Sequence, residues 1–333
     1  MIYITSRGID KIPFLDAFTG ADVTRNTWRS QRRSAEAVAG WGRRSSADKA
    51  RRLAAQLSLP YWSLEDGFLR SYGTGERFPP LSMVIDKTGI YYDSTSPSAL
   101  EDMLNGKGEL LDGIEADVAR ARRLILQHRL SKYNNAPFLQ DGVLRPHDDQ
   151  RVLVVDQTAG DMSVALGGAT AETFHAMLRC ALSENAAATV YVKTHPEVSE
   201  GRKGGYLTRV QDDARTVVLR GKINPLSIIE QMDRVYVVSS TMGFEALLAG
   251  KPVTCLGLPW YAGWGSTDDR RHCPRRTRRR TVDELFAAAY FHYARYLDPV
   301  THERGTIFDV IDWLAHQQEM TFGLSDKQVT TEQ

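Results

Sequence analysis

The chain has 333 residues, 25% of them charged and 42% hydrophobic, with a formal net charge of +1. That length fits two domains of ordinary size in a globular protein. No apolar run approaches the ~20 residues that cross a bilayer, the start "MIYITSRGIDKIPFLDAF" lacks a secretion signal, and Cys180, Cys255 and Cys273 lie too far apart for a metal-ligand spacing or a disulfide framework.

In chain order, "MIYITS" predicts an opening strand, followed by a helical stretch around Phe14 to Phe18. "AVAGWG" reads as a strand running into a glycine turn, and "SADKARRLAAQLSL" as a helix with Ser46 as its cap. "YWSLEDGFLRSYG" starts as a strand and ends as a loop. "LSMVIDKTGIYYD" predicts a β-hairpin turning at Lys87-Thr88-Gly89, and a long helix follows from about Ile114 to Lys132. The turn-rich "YNNAPFLQDGVLRPHDD" places a domain boundary near Pro137 to Asp149.

The second half alternates more regularly. "RVLVVDQ", "TVYVKTH", "TVVLRG", "RVYVVSS" and "PVTCLG" read as strands, with helices over about Gly167 to Ser183, in "NPLSIIEQM" and in "MGFEALLAG". Asn224 as N-cap with Pro225 at N1 is a favoured helix start. Alternation of this kind means a parallel sheet covered on both faces, with ligands bound beyond the carboxyl ends of its strands. Gln157, His195 and the Ser239-Ser240 pair close three of these strands, so all three should open on one crevice. The last residues, "SDKQVTTEQ", read as a frayed tail.

Several residues at strand ends carry candidate chemistry. Ser239, Ser240 and Thr241 stand where a strand runs out and a helix begins, a seat for a phosphate or carboxylate. The same residues suit a plain N-cap. Glu65 and Asp66 precede a glycine at another strand end. Neighbouring side chains of an extended chain point opposite ways, so at most one faces the crevice, where a raised pKa would suit general acid or base work; a surface turn is the plain alternative. Asp161 and Ser163 lie just past a strand, where Asp161 suits a nucleophile or a helix cap. Lys193 and His195 share one side of a strand end, and a histidine there can donate to a phosphate. Glu245, one turn into its helix, could accept from a ribose diol or face solvent. The run "RRHCPRRTRRR", Arg270 to Arg280, holds seven arginines in eleven residues. It reads as a solvated loop or as a contact for anionic lipid or acidic glycan; no nucleic-acid motif accompanies it.

The order of these signals carries more than each alone. "AGWGRR", "SLEDGFLRS", "SKYN", "KTHPEV", "SSTMGFEALLAGKPV", "GLPWYAGWGSTDD" and "YARYLDPVT" resemble, in sequence, one module of the capsule polysaccharide Kdo transferases of the KpsC type. The match runs from about Gly40 to Thr301, and "LPWYAGWG" followed by "TDD" is its most specific part. The resemblance implies an α/β, GT-B-like fold of two Rossmann-like domains. It implies residues 1–140 on the acceptor side, 141–280 on the nucleotide-sugar side, and 281–333 as C-terminal helices and tail packing back on the first domain. It further implies CMP-β-Kdo as donor, a retained β-linkage, a lipid-linked Kdo acceptor, and no metal or other cofactor. Asp161 would be the nucleophile and Glu65 or Asp66 the proton carrier. Gln157, Ser163, Lys193, His195, Ser239, Ser240 and Thr241 would hold the donor phosphate side and Glu245 the ribose. Tyr261, Gly263 and Trp264 would wall the sugar. Proteins of this type carry two such modules in tandem and this sequence spans one, which leaves the linkage position open. The expected setting is cytoplasmic, peripheral on the inner membrane through Arg270 to Arg280, beside capsule assembly proteins. A transferase using another CMP-sugar such as sialic acid, and a non-catalytic glycan-binding assembly or export protein, are the alternatives.

Overall fold

The computed structural model describes residues 1–25, 35–146, 149–199 and 201–323; the expected tail lies outside them. Two sheets organise the chain. The first has seven strands: β1 (Ile2–Ile4), β2 (Val23–Thr24), β3 (Ala37–Trp41), β4 (Tyr61–Asp66), β5 (Ser82–Asp86), β12 (Ala294–Leu297) and β13 (Arg304–Gly305). Their order is β13-β12-β5-β4-β3-β1-β2. β2, β1, β3 and β4 run parallel, while β5, β12 and β13 pair antiparallel.

The second sheet has β6 (Arg151–Val155), β7 (Thr189–Lys193), β8 (Thr216–Leu219), β9 (Arg234–Val237), β10 (Val253–Cys255) and β11 (Asp268–Asp269). The order is β11-β10-β9-β6-β7-β8, and every neighbouring pair is parallel. Runs such as "RVLVV" and "TVYVK" are buried almost throughout, as strands covered on both faces must be. Two α/β units of this kind make the GT-B-like architecture.

The units share apolar packing. One cluster of buried side chains takes Val84 and Leu104 from the first unit, Leu153 and Val237 from the second, and Leu285 and Tyr290 from the C-terminal segment. Within it the Phe68 ring lies 5.4 Å from Trp260 and 5.0 Å from Tyr290. β12 pairs with β5, Ala294 opposite Val84, so residues 294–305 complete the first sheet.

Some elements differ from expectation for local reasons. The hairpin at Lys87-Thr88-Gly89 does not form. The Asp86 carboxylate accepts from the Thr88, Gly89 and Ala99 amides and from the Tyr293 hydroxyl, which holds the chain in turns after β5. Ser46 lies in a 3-10 turn, and the helix Asp48–Leu57 starts after Ala47 with no side-chain cap. The long helix spans Glu115–Gln127 and stops short of Lys132, because Arg129 is left-handed (φ 51°) and the Leu130 amide turns back to the Ile125 carbonyl. The helix expected over about Gly167 to Ser183 forms as Ala171–Glu184, starting after the left-handed Gly168, and a short helix not expected, Met162–Leu166, precedes it. A helix over Ala99–Asn105, capped by Ser98, was not expected.

Candidate active site

β6 and β9 are neighbours, so the residues that follow them meet at the carboxyl edge of the second sheet. There the Gln157 side-chain amide forms a hub. Its Nε2 donates to Ser239 Oγ at 3.1 Å, Ser163 Oγ at 3.3 Å and Asp161 Oδ2 at 3.3 Å. Its Oε1 accepts from the Ser239 amide at 3.0 Å, and Ser163 Oγ lies 3.1 Å from Ser239 Oγ. Asp161 also caps the helix Met162–Leu166, its Oδ1 accepting from the Ser163 amide at 2.9 Å. The left-handed Gly160 (φ 83°) makes the turn that brings Asp161 back over β6. Four of the expected residues thus stand in one hydrogen-bonded group.

His195 follows β7. Its Nδ1 accepts from the Glu197 amide at 3.2 Å, so the neutral ring carries its proton on Nε2. Burial holds its pKa below the ordinary histidine value. Glu197 and Asp161 pull the other way, while Lys193 and Lys203 add to the lowering. Lys193 is placed otherwise than expected: it is buried, and its Nζ donates to the backbone carbonyls of Thr194 and Gly221 at 3.0 Å. Burial brings its pKa down to about 8. Its ammonium ties β7 to the turn after β8 and does not join the group around Gln157.

The Ser240 hydroxyl accepts from the Met242 amide at 3.2 Å, so it caps the following helix, Met242–Leu248; Thr241 makes no side-chain cap there. Tyr261 and Trp264, expected to wall a sugar, are buried in the shared core. The Tyr261 hydroxyl donates to the Ser240 carbonyl, and the indole N–H of Trp264 donates to the Trp260 carbonyl at 2.9 Å. A Cβ on Gly243 would stand 2.1 Å from the Tyr261 oxygen, so the glycine makes room for that bond. Gly263 (φ 83°) turns the loop, and its amide donates to Asp269. The aromatic loop buttresses the serine pair from behind.

Glu245 is also placed differently. Its carboxyl is buried, with Oε1 accepting from Ser131 Oγ at 2.5 Å and Oε2 without a hydrogen-bond partner among the described residues. Burial raises its pKa to about 7, against the opposing pull of the Ser131 bond and of Lys132. It clasps the segment between the two units and is closed to a ribose. In "SKYN" the Asn134 side chain accepts from the Ser131 amide and donates to the Ser131 and Ser71 carbonyls, so that motif is a joint. Its spacing gave no sign of this, because the partner lies 114 residues away.

On the first sheet β4 ends in the acidic pair. Asp66 is ion-paired with Arg70 at 2.8 Å. Glu65 is buried, and burial raises its pKa, opposed by Lys132 and assisted by Asp66. A Cβ on Gly42 would lie 3.2 Å from Glu65 Oε2 and 2.1 Å from the Tyr92 oxygen, so Glu65 and Tyr92 converge on that glycine. Two residues past Tyr92, Ser94 donates its amide and its hydroxyl to the Leu166 carbonyl, at 2.9 and 2.7 Å. Leu166 ends the helix that Asp161 starts, so the loop that carries Tyr92, near Glu65, also pins the Asp161 helix.

The arginine run is only partly solvated: Arg270, Arg271 and Arg279 are exposed, while Arg276 and Arg280 are buried. Arg275 and Arg276 pair with Glu101 of the first unit, and Arg276 also donates to the Pro259 and Ala262 carbonyls. Arg280 donates to the Leu104 and Gly106 carbonyls and pairs with Glu284.

Residues 36–297 match the family model of capsule polysaccharide biosynthesis proteins. The chain is 48% identical over 323 residues to the capsule polysaccharide modification protein LipA of Neisseria meningitidis serogroup B, a match covering 94% of this chain and 45% of that protein. It is 40% identical over 266 residues to the lipopolysaccharide-processing protein LpsZ of Rhizobium meliloti, covering 78% and 60%. It thus spans less than half the length of LipA. Among solved structures it is similar to the Thermosulfurimonas dismutans KpsC β-Kdo 2,4 transferase, with 48% identity, TM-score 0.87, and 94% and 97% of the two chains covered. The β-Kdo 2,7 transferase of the same organism's KpsC aligns with 29% identity and TM-score 0.67, over 95% and 99% of the chains. With the family model over most of its length and relatives this close, the chain belongs to the capsule polysaccharide biosynthesis protein family.

Proposed function

We propose that the chain carries a retaining glycosyltransferase site that moves Kdo from CMP-β-Kdo to a lipid-linked Kdo acceptor, building the β-Kdo linker of capsular polysaccharide at the inner face of the cytoplasmic membrane. The observation that supports this most is the single group in which Gln157 holds Asp161, Ser163 and Ser239 together at the carboxyl edge of a parallel sheet. Similarity to chains named as β-Kdo transferases supports the sugar.

In this reading His195 Nε2–H and the hydroxyls of Ser239 and Ser240 meet the donor phosphate. Asp161 attacks the anomeric carbon as CMP leaves with the bonding electrons. The acceptor hydroxyl then displaces Asp161 while a second carboxylate takes its proton, a logic shared with retaining glycosidases. Of the two candidates for that proton, Glu65 fits better than Asp66. It is desolvated and has no ion pair among the described residues, whereas Arg70 holds the Asp66 carboxylate. The reading assigns no metal. Asp268 and Asp269 are engaged by Thr254, Arg270, Thr267 and the Gly263 amide.

The test is incubation with CMP-Kdo, generated in situ, and a synthetic Kdo-terminated lipid, read by mass spectrometry. The expected product is one Kdo heavier with a β-linkage. Turnover with CMP-sialic acid alone would replace the donor, and binding of CMP-sugar without turnover would replace the enzyme by a glycan-binding assembly protein.

A further inference from the structure

The arginine run divides by partner. Glu101 takes Arg275 and Arg276, Glu184 and Asp268 take Arg270, and Glu284 takes Arg280. Arg271, Arg278 and Arg279 have no carboxylate partner among the described residues. Arg271 donates one bond, from Nε to the Leu256 carbonyl at 3.1 Å, and Arg278 and Arg279 make no hydrogen bond there. These three side chains and His272 line a cavity of about 490 Å³ beside the loop Gly263–Gly265. The Arg279 guanidinium lies against Gly265, where a Cβ would stand 3.1 Å from its central carbon. Asp269 also borders the cavity, with one carboxylate oxygen taken by the Gly263 amide and the other by Thr267.

Arginine does not give up its charge, so three unpaired guanidinia in one concavity repel one another until an anion enters. Their fork of N–H donors matches a phosphate. Arg271, His272 and Arg279 are exposed at the rim, and Arg278 is half-buried. The indole of Trp264 is buried in the core, so apart from the exposed His272 imidazole the cavity is lined by charge rather than by rings. Sites that bind by charge gain most from an array of anions, which a membrane surface supplies. We propose that this cavity takes the phosphate of an anionic lipid head group and sets the chain against a lipid surface. The inference does not rest on the donor chemistry above.

The experiment is sedimentation of the chain with phosphatidylglycerol-containing vesicles, with circular dichroism and the thermal unfolding midpoint as the check on folding. An Arg278→Gln/Arg279→Gln double variant is expected to lose roughly thirtyfold in vesicle affinity, about five- to sixfold for each cation. An Arg52→Gln/Arg209→Gln variant, equal in net charge, is expected to lose little. Inorganic phosphate is expected to release the wild-type chain more effectively than sodium chloride of equal ionic strength. Equal losses in the two double variants, or equal release by phosphate and chloride, would show diffuse charge attraction and overturn the site. Wild-type binding to inorganic phosphate but not to vesicles would overturn the lipid as its source. Should the Gln variant fail to fold, the competition arm on the wild-type chain still decides.

Discussion

Glu245 lies one turn into the helix that follows the serine pair, yet its carboxyl points into the joint between the units. An apolar setting that leaves one oxygen unpartnered explains why its pKa stands near 7 rather than at the ordinary 4.5. The folded chain keeps a proton there that the unfolded chain gives up near pH 4.5. This contribution to stability is whole below that pH and is lost as pH rises through about 7. Glu245→Gln keeps a partner for Ser131 and removes the titration. The variant should gain on the wild type by about 3 kcal/mol between pH 4.5 and 8.5, by the usual conversion of pKa shift to free energy. Chemical denaturation at both pH values measures it, and parallel curves would contradict the assignment. The sequence showed that Glu245 follows Ser-Ser-Thr on a helix. Which way its side chain points depends on Ser131, which no local pattern announces.

Among the elements, the parallel sheet was legible because its strands are short β-branched runs between glycine and asparagine punctuation. The parallel rule alone placed Gln157, His195 and the Ser239-Ser240 pair at one sheet edge, and Gln157 and Ser239 are hydrogen-bonded there; that Asp161 joins them depends on the turn after β6. The failed hairpin after β5 and the shortened helix Glu115–Gln127 were decided by Asp86 reaching three amides and one distant hydroxyl, and by a left-handed arginine; neither shows in hydrophobic periodicity. The helix Ala99–Asn105 carries Glu101, which holds two arginines of the other unit. Arg276 and Glu101 are both buried, with side chains 3% and 6% exposed, so removing the carboxylate leaves a charge uncompensated. Glu101→Gln should destabilise by roughly 3 kcal/mol or more. A lower urea midpoint at an unchanged slope is expected, and an unchanged midpoint would mean that the carbonyl partners of Arg276 suffice.

At the scale of the whole molecule, the chain does not finish its first unit until its last third. Residues 294–297 supply the strand that pairs with β5, and Leu285, Phe286 and Tyr290 fill the core common to both sheets. A chain ended after Arg280 should therefore lose its cooperative unfolding transition. Circular dichroism and calorimetry on the two lengths would test this; a shortened chain that melts like the full one would contradict the shared core. The same packing bears on function, because Ser94 and Glu101 of the first unit meet Leu166, Arg275 and Arg276 of the second. The carboxylate proposed to move the proton and the one proposed to attack the sugar are thus positioned by one continuous framework.

Asp161 is where the account is most exposed. As a helix cap alone it contributes about 1 kcal/mol of stability and nothing to chemistry. As the nucleophile it is indispensable. Asp161→Asn preserves the shape and removes the negative charge, so the decisive measurement is Kdo transfer by this variant beside its CMP affinity. Transfer is expected to fall by orders of magnitude with CMP binding retained. Transfer near the wild-type rate would contradict it.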